Sequence, residues 1–321
     1  MGFKRNRLVG LFMTIMMLYA GEVAQATVYT YTTINDPNAT VGTVAIGING
    51  AGAIVGGYSN NSGFYGFLDQ NGSYTNIIDP NATQGTTAYG INGAGAIVGG
   101  YSNNSGSYGF LDQNGSYSNI IDPNATLGTS AYGINGAGAI VGGYSNNSGS
   151  YGFLDQNGSY SNIIDPNATL GTSAYGINRA GAIVGGYSNN SGSYGFLYQN
   201  GSYTNIIDPN ATLGTTAYGI NGAGAIVGGY SNNSGSYGFL DQNGIFTTIA
   251  LTGNYITQAT GINGAGAIVG RYGNDSGTSG FIATPNISST PEPSTMLLFG
   301  TGILLMGIIS TRKQKDLLSK L

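Results

Sequence analysis

The string Ile-Val-Gly-(Gly/Arg)-Tyr recurs six times, with its tyrosine at positions 58, 101, 144, 187, 230 and 272. The intervals are 43, 43, 43, 43 and 42 residues, and the second and third copies are nearly identical over their whole length. Duplication of this kind constrains the fold more than any composition does. Each copy has to form the same supersecondary unit, and each unit has to bury its apolar face against a neighbour like itself.

The copy that begins at Thr87 shows the unit. Ala88 to Asn92 reads as a short strand, turned by Gly93-Ala94-Gly95 into a second strand, Ala96 to Tyr101. After the loop Asn103 to Gly106 comes a third strand, Ser107 to Leu111. Gln113-Asn114-Gly115 then turns the chain into a fourth, Ser116 to Ile121. Asn-Gly is a strong hairpin signal because both central positions of a type I′ turn need positive φ. Asp122-Pro123 ends the fourth strand, since proline cannot donate to a ladder. No segment has helical periodicity.

Four strands in 43 residues is the blade of a β-propeller. The expected fold class is therefore all-β, a six-bladed β-propeller over residues 27–285, with an open β-solenoid as the alternative, plus an N-terminal signal helix and a C-terminal transmembrane helix outside the repeats. The count of fourth strands bears on that choice. They are Tyr29–Ile34, Tyr74–Ile78, Tyr117–Ile121, Tyr160–Ile164, Tyr203–Ile207 and Ile245–Ala250. The first precedes the first repeat, and the last repeat ends at Phe281-Ile282-Ala283 without one. A displaced N-terminal strand would complete the last blade and remove a free sheet edge. A solenoid would instead need capping repeats.

Charge narrows the partners. Between residues 27 and 290 there are ten Asp, no Glu, no Lys and two Arg (Arg179 and Arg271), so this region carries −8. Phosphate neutralisation needs Lys and Arg, so no nucleic-acid partner is expected. The chain has no Cys, which excludes disulfides and thiolate metal sites.

The two ends differ from the repeats. Lys4, Arg5 and Arg7 precede an apolar stretch from Leu8 to Ala20 and then Ala24-Gln25-Ala26. That order is a secretory signal peptide over residues 1–26. At the other end, Pro291-Glu292-Pro293 stands in a linker, residues 286–293. The apolar run Met296 to Ile309 follows, within an expected transmembrane sorting segment, 294–311, and a basic tail, 312–321, with Arg312, Lys313 and Lys315. Pro-Glu-Pro, one short membrane segment and a terminal basic cluster together resemble the PEP-CTERM sorting signal. The resemblance implies an exosortase-type sorting enzyme as partner, with Pro291, Glu292, Pro293 and the basic cluster as the sorting motif. It also implies export to the envelope or cell surface, with at least transient membrane anchoring.

The Gly-Ile-Asn-x-x-Gly-x-Ile-Val-Gly core, followed by an aromatic-Leu strand, resembles the bacterial extracellular HAF repeat family over residues 28 to 283. Where that family has His-Ala-Phe, this chain has Tyr-Gly-Phe, as at Tyr108-Gly109-Phe110. Any role tied to the histidine is lost.

Catalytic residues are not expected. The repeats lack His, Cys, Lys and Glu, and their Asp residues stand at turns, where Asp caps its own backbone. Identical copies also give carboxyls identical environments, whereas an acid–base pair needs different ones. Asp-Gln-Asn-Gly offers oxygen ligands of the kind calcium takes, but a hairpin turn accounts for the same residues. No cofactor or metal site is assigned. Tyrosine is the open case. Its flat apolar face and polar tip suit sugars, and it is equally a favoured strand residue. Tyr101, Tyr144, Tyr187 and Tyr230, which share their local sequence, are the candidate ligand-binding residues. The expected function is a non-enzymatic surface or extracellular-matrix protein linked to the exopolysaccharide or envelope layer. The alternatives are a carbohydrate-binding or adhesive module, with polysaccharide as partner, and a hydrolase.

Overall fold

The computed structural model describes residues 28–254, 256–274 and 277–286. The expected signal peptide, the Pro-Glu-Pro linker beyond Asn286, the sorting segment and the basic tail, with the two helices expected there, lie outside the described residues.

The 24 strands among the described residues all belong to one repeated four-stranded antiparallel unit. In the second unit an inner strand, Gly85–Ile91, pairs with a second strand, Ile97–Asn103. The second pairs with a third, Gly106–Gln113, and the third with an outer strand, Ser116–Ile120. Among the described residues there is no helix. The hairpin between third and outer strands has the expected geometry, with Asn114 at φ 56° and Gly115 at φ 85°. The buried Asp112 carboxylate accepts the Gly115 N–H at 2.7 Å.

The apolar core lies between units. Val55, from the second strand of the first unit, packs with Ala88, Ile91, Ile97 and Phe110 of the second. Phe110 is fully buried, as are its counterparts Phe67, Phe153, Phe196, Phe239 and Phe281. Burial of such a ring stabilises by roughly 1.5–3 kcal/mol, so each seam has a substantial anchor. The first glycine of the pair in the recurring string follows from it. A Cβ on Gly142 would stand 2.6 Å from the Phe153 ring.

The units form a closed ring. Tyr29–Ile34 pairs antiparallel with Gly277–Pro285 and supplies the outer strand of the sixth unit. Val269 and Ala267 of that unit pack against Ala45, Ile48 and Phe67 of the first. Two belts run through all six seams. In one, each Asn side chain donates to the backbone carbonyl of the next unit's Asn, from Asn49 through Asn92, Asn135, Asn178 and Asn221 to Asn263. Asn263 then donates back to Asn49 O at 3.2 Å. The other belt is a close approach of inner strands. A Cβ on Gly133 would come within 2.7 Å of Tyr175 O, and one on Gly261 within 2.7 Å of Ile46 O. An open stack has no contact between its last and first units; here that seam matches the interior ones.

Candidate functional site

The inner strands build the axial site. Each has a register shift at its fifth residue, as between Ala88 and Gly90 or Ala131 and Gly133. A β-bulge leaves one residue unpaired and re-aims its side chain. That residue is Tyr89, Tyr132, Tyr175 or Tyr218 in the second to fifth units, Ile46 in the first and Thr260 in the sixth. The four tyrosines follow one another around the axis, each ring inclined to the next, with successive centroids 5.2, 5.2 and 5.3 Å apart. Each lies over a second-strand glycine. The Cε2 atoms of Tyr89 and Tyr132 lie 3.3 Å from where a Cβ on Gly100 or Gly143 would be.

Two rings are missing from this circle, and a cavity of about 230 Å³ opens where they would stand. Its walls are the four tyrosines with Val44, Ile46, Gln258, Thr260 and Arg271. Arg271 takes the place of the second-strand glycine in the sixth unit. The swap is coupled: with Thr260 in place of tyrosine, no ring covers that position. The Arg271 Nε–H donates to the Gln258 side-chain oxygen at 2.7 Å, which fixes the guanidinium. A second cavity of about 290 Å³ shares Val44, Ile46 and Arg271 with the first. None of the described residues lining either cavity is acidic.

Electrostatics leaves one formal charge there. Burial raises the Tyr132 hydroxyl to about 12, with smaller contributions from Tyr175 and Tyr89. Burial likewise raises Tyr89, eased by the Thr87 hydroxyl. It raises Tyr218, reinforced by Tyr175 and opposed by Thr216 and, least, by Arg271. These phenols stay neutral hydrogen-bond donors at ordinary pH, and Arg271 is the cation.

The tyrosines singled out from the repeats lie elsewhere. Tyr101, Tyr144, Tyr187 and Tyr230 are 4–5% exposed and pack in the seams, so they present no ring face to solvent. Their hydroxyls donate to Asn119, Asn162 and Asn205, or pair with Thr248. Each stacks on the third-strand tyrosine opposite, as Tyr101 does on Tyr108 at 5.3 Å. Two aromatic neighbours on paired strands, both flanked by seams, make core.

The aspartates are turn elements. Asp36, Asp79, Asp122, Asp165 and Asp208 each accept the N–H of the residue two further on, at 2.8 Å. Among the described residues no group of three or more acidic, His or Cys side chains is placed to hold a metal ion. Arg179 stands exposed in the turn after its inner strand and lines neither cavity.

Solved structures place the ring in the propeller-like class of β proteins. A gluconolactonase from Xanthomonas campestris aligns with a TM-score of 0.50 at 13% identity, over 80% of this chain and 90% of its own. TolB from Acinetobacter baumannii aligns at 0.50 and 13%, over 77% of this chain and 64% of its own. A sialidase from Trypanosoma rangeli aligns at 0.50 and 8%, over 79% of this chain and 59% of its own. At these identities the likeness is one of fold. No curated protein matches the chain in sequence. The terminal segment is more specific: residues 289–314 match the PEP-CTERM protein-sorting motif. The protein is thus an exported one, handled by an exosortase-type sorting enzyme and bound for the envelope or surface.

Proposed function

We propose that this protein is a non-enzymatic surface component whose ring, a six-bladed β-propeller of HAF-type extracellular repeats, binds glycan of the exopolysaccharide or envelope layer in its axial cavity. On this reading residues 1–26 are a signal peptide, and residues 294–311 span the membrane until sorting. The observation that carries it is the cavity itself. Aromatic faces, neutral hydroxyls and one cation converge there, as a small-ligand site requires.

The positions of the chain ends support the same reading. Tyr29 pairs with Pro285, and Pro285 lies against the Gly266 turn beside the Asn belt. Both ends of the ring therefore leave at the belt end. Along each inner strand the cavity tyrosine precedes the belt glycine and the Asn follows it, so the cavity lies on the far side of the glycine belt from the chain ends. The reading as a binder and not a hydrolase rests on chemistry: the repeats hold no His, Cys, Lys or Glu, and the five Asp-Pro carboxylates are tied into their own turns.

The test is binding of neutral and acidic oligosaccharides to the exported ring by calorimetry, with turnover followed in parallel. Saturable binding without turnover, lost in Tyr132→Ala, is the expected result. Hydrolysis of any of these substrates would overturn the non-enzymatic reading.

A further inference from the structure

The sixth unit departs from its neighbours at every position that faces the axis. Gln258 stands where the second to fifth units have Thr87, Ser130, Ser173 and Thr216. Thr260 replaces tyrosine, and Arg271 replaces glycine. These three changes fit together: one removes a ring, the second fills part of the space with a guanidinium, and the third holds that guanidinium through its amide oxygen at 2.7 Å. A guanidinium has five donors and Gln258 takes one of them, from a residue that lines the cavity.

From this geometry we infer that the axial cavity selects a carboxylated ligand of about monosaccharide size, such as the uronic acid end of an acidic polysaccharide. The inference rests on the axial cavity being a binding site. A planar fork matches a carboxylate with two parallel hydrogen bonds. A volume of about 230 Å³ suits one sugar ring, not a folded chain. The tyrosines opposite offer that ring flat faces and neutral donors.

The acidity of the domain opposes an anion only weakly. The −8 is carried by Asp residues, none of them among the described residues lining the cavity. Charges beyond about 8 Å are largely screened at physiological ionic strength, whereas a partly buried cation is screened much less. The local guanidinium therefore decides the sign of the interaction.

The experiment is calorimetric titration of the exported ring with a uronic acid oligosaccharide, its carboxyl-reduced neutral counterpart, free glucuronic acid and acetate. Three forms are compared: the natural protein, Arg271→Gln, and the double variant Thr260→Tyr with Arg271→Gly. The double variant restores the pair that the second to fifth units already fold with, so it keeps the test valid if Arg271→Gln misfolds. The uronic acid oligosaccharide should bind the natural protein, and both variants should weaken it about 10- to 100-fold, the loss expected for a charged hydrogen-bonded contact. The neutral counterpart should bind equally and weakly to the natural protein and to Arg271→Gln, whereas the ring restored in the double variant fills part of the cavity and should weaken both oligosaccharides. Free glucuronic acid binding as tightly as the oligosaccharide would assign the site to a soluble sugar acid; weaker binding would assign it to a chain end. Either supports the carboxylate. Acetate should not compete at equal concentration, and competition by it would contradict a sugar-sized ligand. Equal affinity for the acidic and neutral oligosaccharides, unchanged in the variants, would overturn the inference while leaving the glycan reading standing. Binding of neither would overturn both.

Discussion

The second to fifth units and the sector where the sixth unit meets the first do different work with the same backbone. In the interior units the axial position is tyrosine four times over, and each ring lies on a glycine. Across the closing sector that position is Ile46 and Thr260, and an arginine has entered from the second strand. Yet the backbone of the closing seam is as tight as any interior one. Thr260 even adds a bond there, from its hydroxyl to Ala45 O at 2.9 Å. The scaffold tolerates a changed axial face because its stability resides in the seams and belts, whose backbone contacts the changes leave in place. Repetition builds the ring, and the break in repetition builds the cavity.

The most damaging way to disturb that comparison is to remove the strand that completes the sixth unit. Deleting residues 28–34 strips the whole pairing with Gly277–Pro285, removes the buried Ile34, and uncovers a sheet edge. We expect a melting temperature lower by well over 10 °C, or aggregation. Denaturation followed by circular dichroism checks it. An unchanged melting temperature would mean that the closing sector adds nothing to stability.

A smaller perturbation compares the seams directly. Gly133→Ala places a Cβ 2.7 Å from Tyr175 O in an interior seam, and Gly261→Ala places one 2.7 Å from Ile46 O in the closing seam. Neither backbone oxygen can swing aside, so each change should cost about 1–3 kcal/mol. Gly136→Ala, in a turn with nothing within 4 Å, should cost far less. Urea denaturation of the three variants measures this. A mild Gly261→Ala beside a severe Gly133→Ala would show that the ring closes loosely.

Much of the scaffold was legible in the repeats. The four strands, the Asn-Gly turn and the displaced first strand all rest on local chemistry, which the 43-residue period repeats. The axial face was not. In strands buried on both sides, alternation does not distinguish a seam from an axis. The bulge at Tyr89 also shifts the count by one residue, so the side chain's direction does not follow from its position. A signal was nonetheless present in the comparison among copies. The seam tyrosine is tyrosine in all six, at 58, 101, 144, 187, 230 and 272. The axial position changes at both ends of the series, to Ile46, where Gly57 stays glycine, and to Thr260, in step with Arg271. Constancy among copies marks packing here, and coupled departure marks the cavity. Choosing Tyr101, Tyr144, Tyr187 and Tyr230 for their sameness selected core residues.

The division between the two sets of tyrosines can be observed in one experiment. The chain has no tryptophan, and its tyrosines can be labelled and followed by nuclear magnetic resonance during titration with a uronic acid oligosaccharide. Resonances of Tyr89, Tyr132, Tyr175 and Tyr218, assigned by single Tyr→Phe replacements, should shift with the ligand, while those of Tyr101, Tyr144, Tyr187 and Tyr230 stay in place. Shifts confined to the seam tyrosines, or spread equally over both sets, would contradict the assignment of the axial cavity as the binding site.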